Sequence, residues 1–251
     1  MPKRKRNNED RPQVHVITSA EAATKIRAAT SNEKKLVVVT GDSSGNGRCS
    51  GLAAFVRTIS GNGDDDTLRV AIGSLQYDES SVAEIAAVAL GARAAMREVG
   101  ENDVSDVLFL CDCISSVVSF YQPNKKSSIR SVVGADEWVQ NMNDLLDACS
   151  TSSVCLAWVR STHSKYSGFF DHEAADLVSA AARSEQFRNE YRDELSSSEL
   201  APALTDSDLQ WLESSAEKKK KSGGSGKRKD KCRSRLKEIF PQVTLPVRAE
   251  G

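Results

Sequence analysis

The feature that most constrains the fold is an apolar, β-branched run, Leu36-Val-Val-Val-Thr40, that meets Gly41-Asp-Ser-Ser-Gly-Asn-Gly47 without a break. Residues of this kind favour a strand, and the glycine- and serine-rich cluster behind them supplies a turn. Gly51-Leu-Ala-Ala-Phe-Val-Arg57 reads as a second strand. The loop Ser60 to Asp66 leads to a third, Thr67 to Leu75. These three are expected to form an antiparallel meander.

The texture then changes. From Ser80 to Val99 the chain is alanine-rich, with Val82, Ile85, Val88, Ala89, Ala92 and Met96 at helical spacing. Ser80 or Ser81 can cap this helix and Gly100 can stop it. Val107-Leu-Phe-Leu-Cys111 reads as a short buried strand ending in Asp112. Helices are expected over Ile114–Tyr121 and Asp136–Cys149, and a strand over Val154–Val159. A long helix should run from Asp171 to about Tyr191, opening on acidic residues as a helix N-terminus prefers. The order βββαβαα(β)α predicts an α/β domain over residues 34–192. Its five-stranded mixed sheet has three antiparallel strands, then two parallel ones, flanked by helices.

Residues 1–33 read as a basic, mostly disordered segment. Within it, Thr18-Ser-Ala-Glu21 offers a capping box for a short helix to about Ala29. Residues 193–251 read as an extension with a short helix over Thr205–Ser214 and a flexible basic stretch from Lys218 to Arg235. No run approaches the roughly 20 apolar residues that span a bilayer. No apolar stretch follows the basic N-terminal residues, so a secretory signal is not expected. The 6 cysteines form no Cys-x-x-Cys pair, which suits an intracellular, nuclear or cytoplasmic protein.

The net charge of -1 hides a segregation. Lys3 to Arg11 holds five basic and two acidic residues, and Lys218 to Lys237 holds eleven basic residues against Asp230 alone. An acidic body therefore sits between basic ends, and basic ends suit a polyanion because neutralising phosphates releases counterions. Solvated tails and nuclear-import signals remain the plainer alternatives for these runs.

Four carboxylates sit in apolar settings. Asp42 lies at the mouth of the first strand, and Glu84 lies among Val82, Ala83 and Ile85. Asp112 ends an apolar strand, and Asp176 is set among Ala174, Ala175, Leu177 and Val178. Carboxylates gathered in a low-dielectric setting repel one another unless cations lie between them. Oxygen ligands suit Mg²⁺ or Mn²⁺, and two such ions can hydrolyse a phosphodiester. Singly, each has an ordinary reading: a turn aspartate, a helix N-terminal charge, a cap and a solvated face.

In order and setting, the four resemble the type 1 ribonuclease H family. The resemblance rests on Val39-Thr-Gly-Asp-Ser-Ser-Gly-Asn-Gly47, Ser81-Val-Ala-Glu-Ile85, Leu110-Cys-Asp-Cys113 and Trp158-Val159. It continues through His163 and Ser167-Gly-Phe-Phe-Asp-His-Glu-Ala-Ala-Asp176. It covers about 155 residues. By this resemblance Asp42, Glu84, Asp112 and Asp176 would be the metal-binding and catalytic carboxylates, holding two Mg²⁺ or Mn²⁺ ions. His163 would assist from a loop. The implied activity is endonucleolytic cutting of the RNA strand of an RNA–DNA hybrid by a monomer, leaving a 5′-phosphate and a 3′-hydroxyl. The basic tails, and Gly41 to Asn46 with Asn124, Lys125 and Lys126, would contact phosphates.

Two departures bear on that expectation. The family's Asp-Gly stands here as Gly41-Asp42, and side chains on a strand alternate faces, so a one-residue shift can re-aim the carboxylate. His163 lies three residues before the place the family gives its histidine, which Tyr166 occupies. The alternative expectation is a catalytically impaired domain of the same fold that binds nucleic acid or protein.

Overall fold

The computed structural model describes residues 14–31, 35–61, 66–76, 79–101, 104–113, 135–149, 153–159, 169–191 and 204–215. The expected helix over Ile114–Tyr121 lies outside these residues, as do His163, Asn124, Lys125, Lys126 and the two basic tails. The strands are β1 (Val14–Ile17), β2 (Lys35–Gly45), β3 (Ser50–Ile59), β4 (Thr67–Leu75), β5 (Val104–Cys111) and β6 (Ser153–Trp158). The helices are α1 (Ser19–Ala29), α2 (Ser80–Glu101), α3 (Ala135–Ala148), α4 (Phe170–Ala181), α5 (Glu185–Glu190) and α6 (Asp206–Ser215).

One sheet runs in the order β1-β6-β5-β2-β3-β4. β2, β3 and β4 form the expected antiparallel meander, with Asp42 opposite Ala53 and Ala53 opposite Ile72. β5 joins β2 in parallel and β6 joins β5 in parallel. The sheet has six strands rather than the expected five, because β1 pairs in parallel with β6 from Val14↔Val154 to Ile17↔Ala157. Residues 14–17, for which no element was expected, thus form a strand, and the expected short helix follows it as α1. β1 is four residues long and its middle residues, His15 and Val16, are exposed. It therefore lacks the buried alternation that marks a strand in sequence; only the backbone of β6 makes it one. The capping box forms as expected: the Glu21 N–H donates to Thr18 Oγ1, and the Thr18 N–H donates to the Glu21 carboxylate at 2.7 Å.

Helices cover both faces. α2 and α3 pack over Val37, Val39, Val107, Phe109, Val154 and Leu156. α1 and α6 pack over Leu36, Val38, Leu108, Leu110 and Cys155, and α4 packs over Ala53 and Phe55. β2 is central, so Leu36 to Val39 are all buried and the strand reads as an unbroken apolar run.

The long helix expected over Asp171–Tyr191 is two helices. α4 ends at Ala181, and Ser184 caps a new start by accepting from the Phe187 N–H. Between them the Arg183 guanidinium turns back to the Ala180 and Gly45 carbonyls. The end of α4 also lies hard against β3: a Cβ placed on Gly51 would come within 2.0 Å of the Ser179 carbonyl oxygen and 2.7 Å of the Arg183 nitrogen. At the other end of α4 is a buried ion pair, in which Arg57 of β3 donates through Nε and Nη2 to both carboxylate oxygens of Asp171, at 2.8 and 2.7 Å.

Gly51→Ala should therefore lower the melting temperature by about 10 °C or more, because main chain on both sides has to move. Gly73→Ala, whose Cβ would meet only Leu side chains at 3.6–3.9 Å, should shift it by no more than about 2 °C. Thermal denaturation followed by circular dichroism distinguishes the two.

Candidate metal centre

Each carboxylate comes from a different element, and the sheet register explains why they meet. β2 pairs with β5 as far as Thr40↔Leu110. Continuing that register sets Gly41 level with Cys111, and Asp42 level with Asp112, the residue just past the end of β5. Side chains alternate, so Gly41 lies on the α2 side of the sheet with Val37 and Val39, and Asp42 lies on the opposite side with Leu36 and Val38. A Cβ on Gly41 would lie 3.0 Å from the Ala87 carbonyl carbon and 3.2 Å from the Val88 nitrogen of α2. Position 41 has no room for an aspartate, and the next position has.

The turn to the other face does not isolate Asp42. Burial comes first and the charges of Glu84, Asp112 and Asp176 follow in holding its carboxyl well above the usual range. Glu84 stands at the start of the second turn of α2, where burial, then the Asp112 charge, pushes its carboxyl up to about 7. Asp42, Glu84 and Asp176 are each less than a tenth exposed, and Asp112 is half-buried, at the mouth. The structure thus brings together the four carboxylates predicted from sequence. His163, the fifth predicted residue, lies outside the described residues.

Ser43, which sequence reasoning passed over as part of a turn, orients two of the four. Its N–H donates to Asp42 Oδ1 at 2.7 Å, and its hydroxyl donates to Glu84 Oε1 at 2.7 Å. Among the described residues the second oxygens, Asp42 Oδ2 and Glu84 Oε2, are buried with no hydrogen-bond partner. Two carboxyl oxygens left so in one corner are costly unless a proton or a cation lies between them. The donor set is all-oxygen at Asp42 and Glu84, so the residues fit a hard divalent ion such as Mg²⁺ or Mn²⁺. The Trp158 indole N–H donates to the Asp112 carbonyl at 2.8 Å, and the Val159 N–H donates to the Cys111 carbonyl, tying the end of β5 to β6.

A second residue missed from sequence is Cys111. Its Sγ and carboxylate oxygens of Glu84 and Asp112 all lie within 4.8 Å of one another. The signal was available: Cys111 shares the strand parity of Val107 and Phe109, which face α2, the helix that bears Glu84.

The strand order about β2, with an antiparallel meander on one side and parallel strands on the other, defines a mixed α/β domain with an acidic corner where β5 ends beside its central strand. Comparison with known protein families finds no match, and comparison with curated proteins finds none. Similar solved structures include LC9-RNase H1, a type 1 RNase H with the type 2 active-site motif. It is 21% identical over 59% of this chain and 72% of that one, with a TM-score of 0.42. The N-terminal RNase H domain of Rv2228c from Mycobacterium tuberculosis is 16% identical over 51% of this chain and 89% of that one, at 0.38. RNase H1 of the archaeon Halobacterium salinarum NRC-1 is 11% identical over 51% and 88%, at 0.34.

The raised carboxyls fix the sign of a pH effect. A carboxyl whose folded value lies above its unfolded one stabilises the fold fully below the unfolded value, and that stability is lost as pH rises through the folded value. For Glu84 the window runs from 4.5 to about 7. Metal-stripped protein should therefore melt progressively lower as pH rises from 5 to 8. At pH 8, Asp42→Asn should raise the melting temperature by about 5 °C. Mn²⁺ should stabilise the wild type at pH 8 and have little effect on the variant. Differential scanning fluorimetry with and without chelator measures all three.

Proposed function

We propose that this chain is a divalent-metal-dependent endoribonuclease that cuts the RNA strand of RNA–DNA hybrids. The observation that supports it best is the convergence of Asp42, Glu84, Asp112 and Asp176, from four elements, at one buried corner with two carboxylate oxygens unpartnered among the described residues. Asp42, Glu84, Asp112 and Asp176 would hold the ions, which when bound activate a water and stabilise the leaving oxygen of a phosphodiester. Ser43 fixes one oxygen each of Asp42 and Glu84, so the other oxygen of each faces the site without reorganising. Burial of these two side chains keeps bulk water from competing for their oxygens. Asp112, more exposed, lies where a phosphate would enter. His163 acts from the segment between β6 and α4 in moving a proton or releasing product.

The hybrid as partner follows from the resemblance in sequence, and from one of the similar structures, LC11-RNase H1, having been solved in complex with an RNA/DNA hybrid. The basic runs at 3–11 and 218–237 supply phosphate contacts that the acidic body does not. The protein acts as a monomer within the cell, in the nucleus or cytoplasm.

Purified protein incubated with a labelled RNA–DNA hybrid and Mg²⁺ or Mn²⁺ should cut the RNA strand only. Asp112→Asn and Asp42→Asn should each lower the rate by about 1,000-fold while leaving hybrid binding intact. Intact hybrid under both metals, with binding retained, would replace the enzyme reading with a binding module. Truncation after Ser215 should weaken hybrid binding by about 10-fold at low salt and flatten its salt dependence, measured by fluorescence anisotropy.

A further inference from the structure

We infer that Cys111 adds a sulfur ligand to this corner, so that Glu84, Cys111 and Asp112 together take a thiophilic divalent cation of the Zn²⁺ class, which regulates the site by occupying it. The inference rests on the metal-site reading above and extends it to a second class of ion.

The geometry is the first support. The thiol sulfur and one oxygen each of Glu84 and Asp112 lie within 4.8 Å of one another. Zn–S bonds are about 2.3 Å and Zn–O bonds about 2.0–2.2 Å, so two ligands of one tetrahedral ion stand roughly 3.5 Å apart. Side-chain adjustments of about 1 Å close the set. The backbone favours this placement. Gly41, level with Cys111 when the β2–β5 register is continued by one residue, has no side chain to separate the thiol from α2.

A further support is Glu84 Oε2, buried and, among the described residues, left without a donor while Oε1 is held by Ser43. A ligand oxygen is therefore available on the thiol's own side of the strand. The thiol is also held in place: the Cys113 N–H donates to Cys111 Sγ at 3.3 Å, a contact that sulfur keeps when it becomes a thiolate. Coordination forms one metal–sulfur bond and releases the Sγ proton to solvent. Soft thiolate favours Zn²⁺ and Cd²⁺, whereas Mg²⁺ and Mn²⁺ take the oxygens and leave the thiol alone. Cys111 otherwise behaves as a fully buried apolar residue packed with Val107 and Phe109, and a purely packing role would show only as a change in melting temperature.

The test uses the full chain, stripped of metal and kept reduced by a phosphine, titrated with Cd²⁺. Thiolate-to-cadmium charge transfer in the near ultraviolet reports the sulfur bond directly. A band saturating at one equivalent is expected in the wild type and in Cys113→Ser. It should be absent from Cys111→Ser and, as a second variant should that one not fold, from Cys111→Ala. Glu84→Gln should weaken Cd²⁺ binding by about 10-fold or more, since a ligand is lost. No band in the wild type, a band that survives removal of Cys111, or an affinity indifferent to Glu84→Gln would each overturn the inference.

The titration contains no nucleic acid, so absence of hybrid cleavage leaves its result standing. Should Mg²⁺-dependent cleavage be found without the band, only the sulfur ligand falls. With both present, micromolar Cd²⁺ should inhibit cleavage by the wild type more strongly than cleavage by Cys111→Ala.

Discussion

Burial of β2 on both faces is the constraint from which the rest of the structure follows. A strand with Leu36, Val37, Val38 and Val39 all sealed from water must have neighbours on each side and a helical layer above and below. The antiparallel meander supplies one pair of neighbours and the parallel crossovers supply the other, with α2 and α3 on one face and α1, α4 and α6 on the other. Because β2 is central, residues from β5, α2 and α4 all approach it, and where β5 stops their polar side chains meet. A polar group placed there is buried by the fold and not by its own surroundings in sequence.

That same packing governs the chemistry of the corner. α2 lies so close to β2 that a side chain at position 41 would press on its backbone, and the carboxylate stands at 42, on the opposite side of the strand. It still lies among the charges of Glu84, Asp112 and Asp176, because all four sit at or beyond the end of the β2–β5 pairing, where the two faces of the sheet are no longer separated. The energetic consequence is a cluster of anionic groups that repel one another in a low-dielectric site, which is stable only with protons or cations between them. Stability and metal affinity are thus two aspects of one arrangement. The Arg57–Asp171 ion pair under α4 is the contrasting case: a buried charge fully met by its partner, with no capacity left for a ligand.

Much of the architecture was legible from local pattern. The β-branched runs gave β2 to β6, the helical spacing of Val82 to Met96 gave α2, and Thr18 with Glu21 gave α1. What escaped had no local signature. β1 is a half-exposed tetrapeptide whose hydrogen-bond partners are more than a hundred residues away in β6. The break after Ala181 occurs where β3 crowds the helix end, although the sequence through it is a good helix former. Ser43 and Cys111 were overlooked because a serine in a turn and a cysteine in an apolar strand have ordinary local explanations.

The sequence by itself determined β2 to β6, α1, α2 and the identity of four carboxylates in apolar settings, since periodicity and residue type are local properties. It left open whether the Gly41-Asp42 order takes the first carboxylate out of reach of the others, since strand alternation predicts a change of face but not what waits on that face. Tertiary structure decided it. The closeness of α2, the register of β2 against β5 and the approach of α4 are distances between segments far apart in the chain. Those distances set which side chains share a charge environment, which oxygens are left without partners, and which cysteine faces a carboxylate.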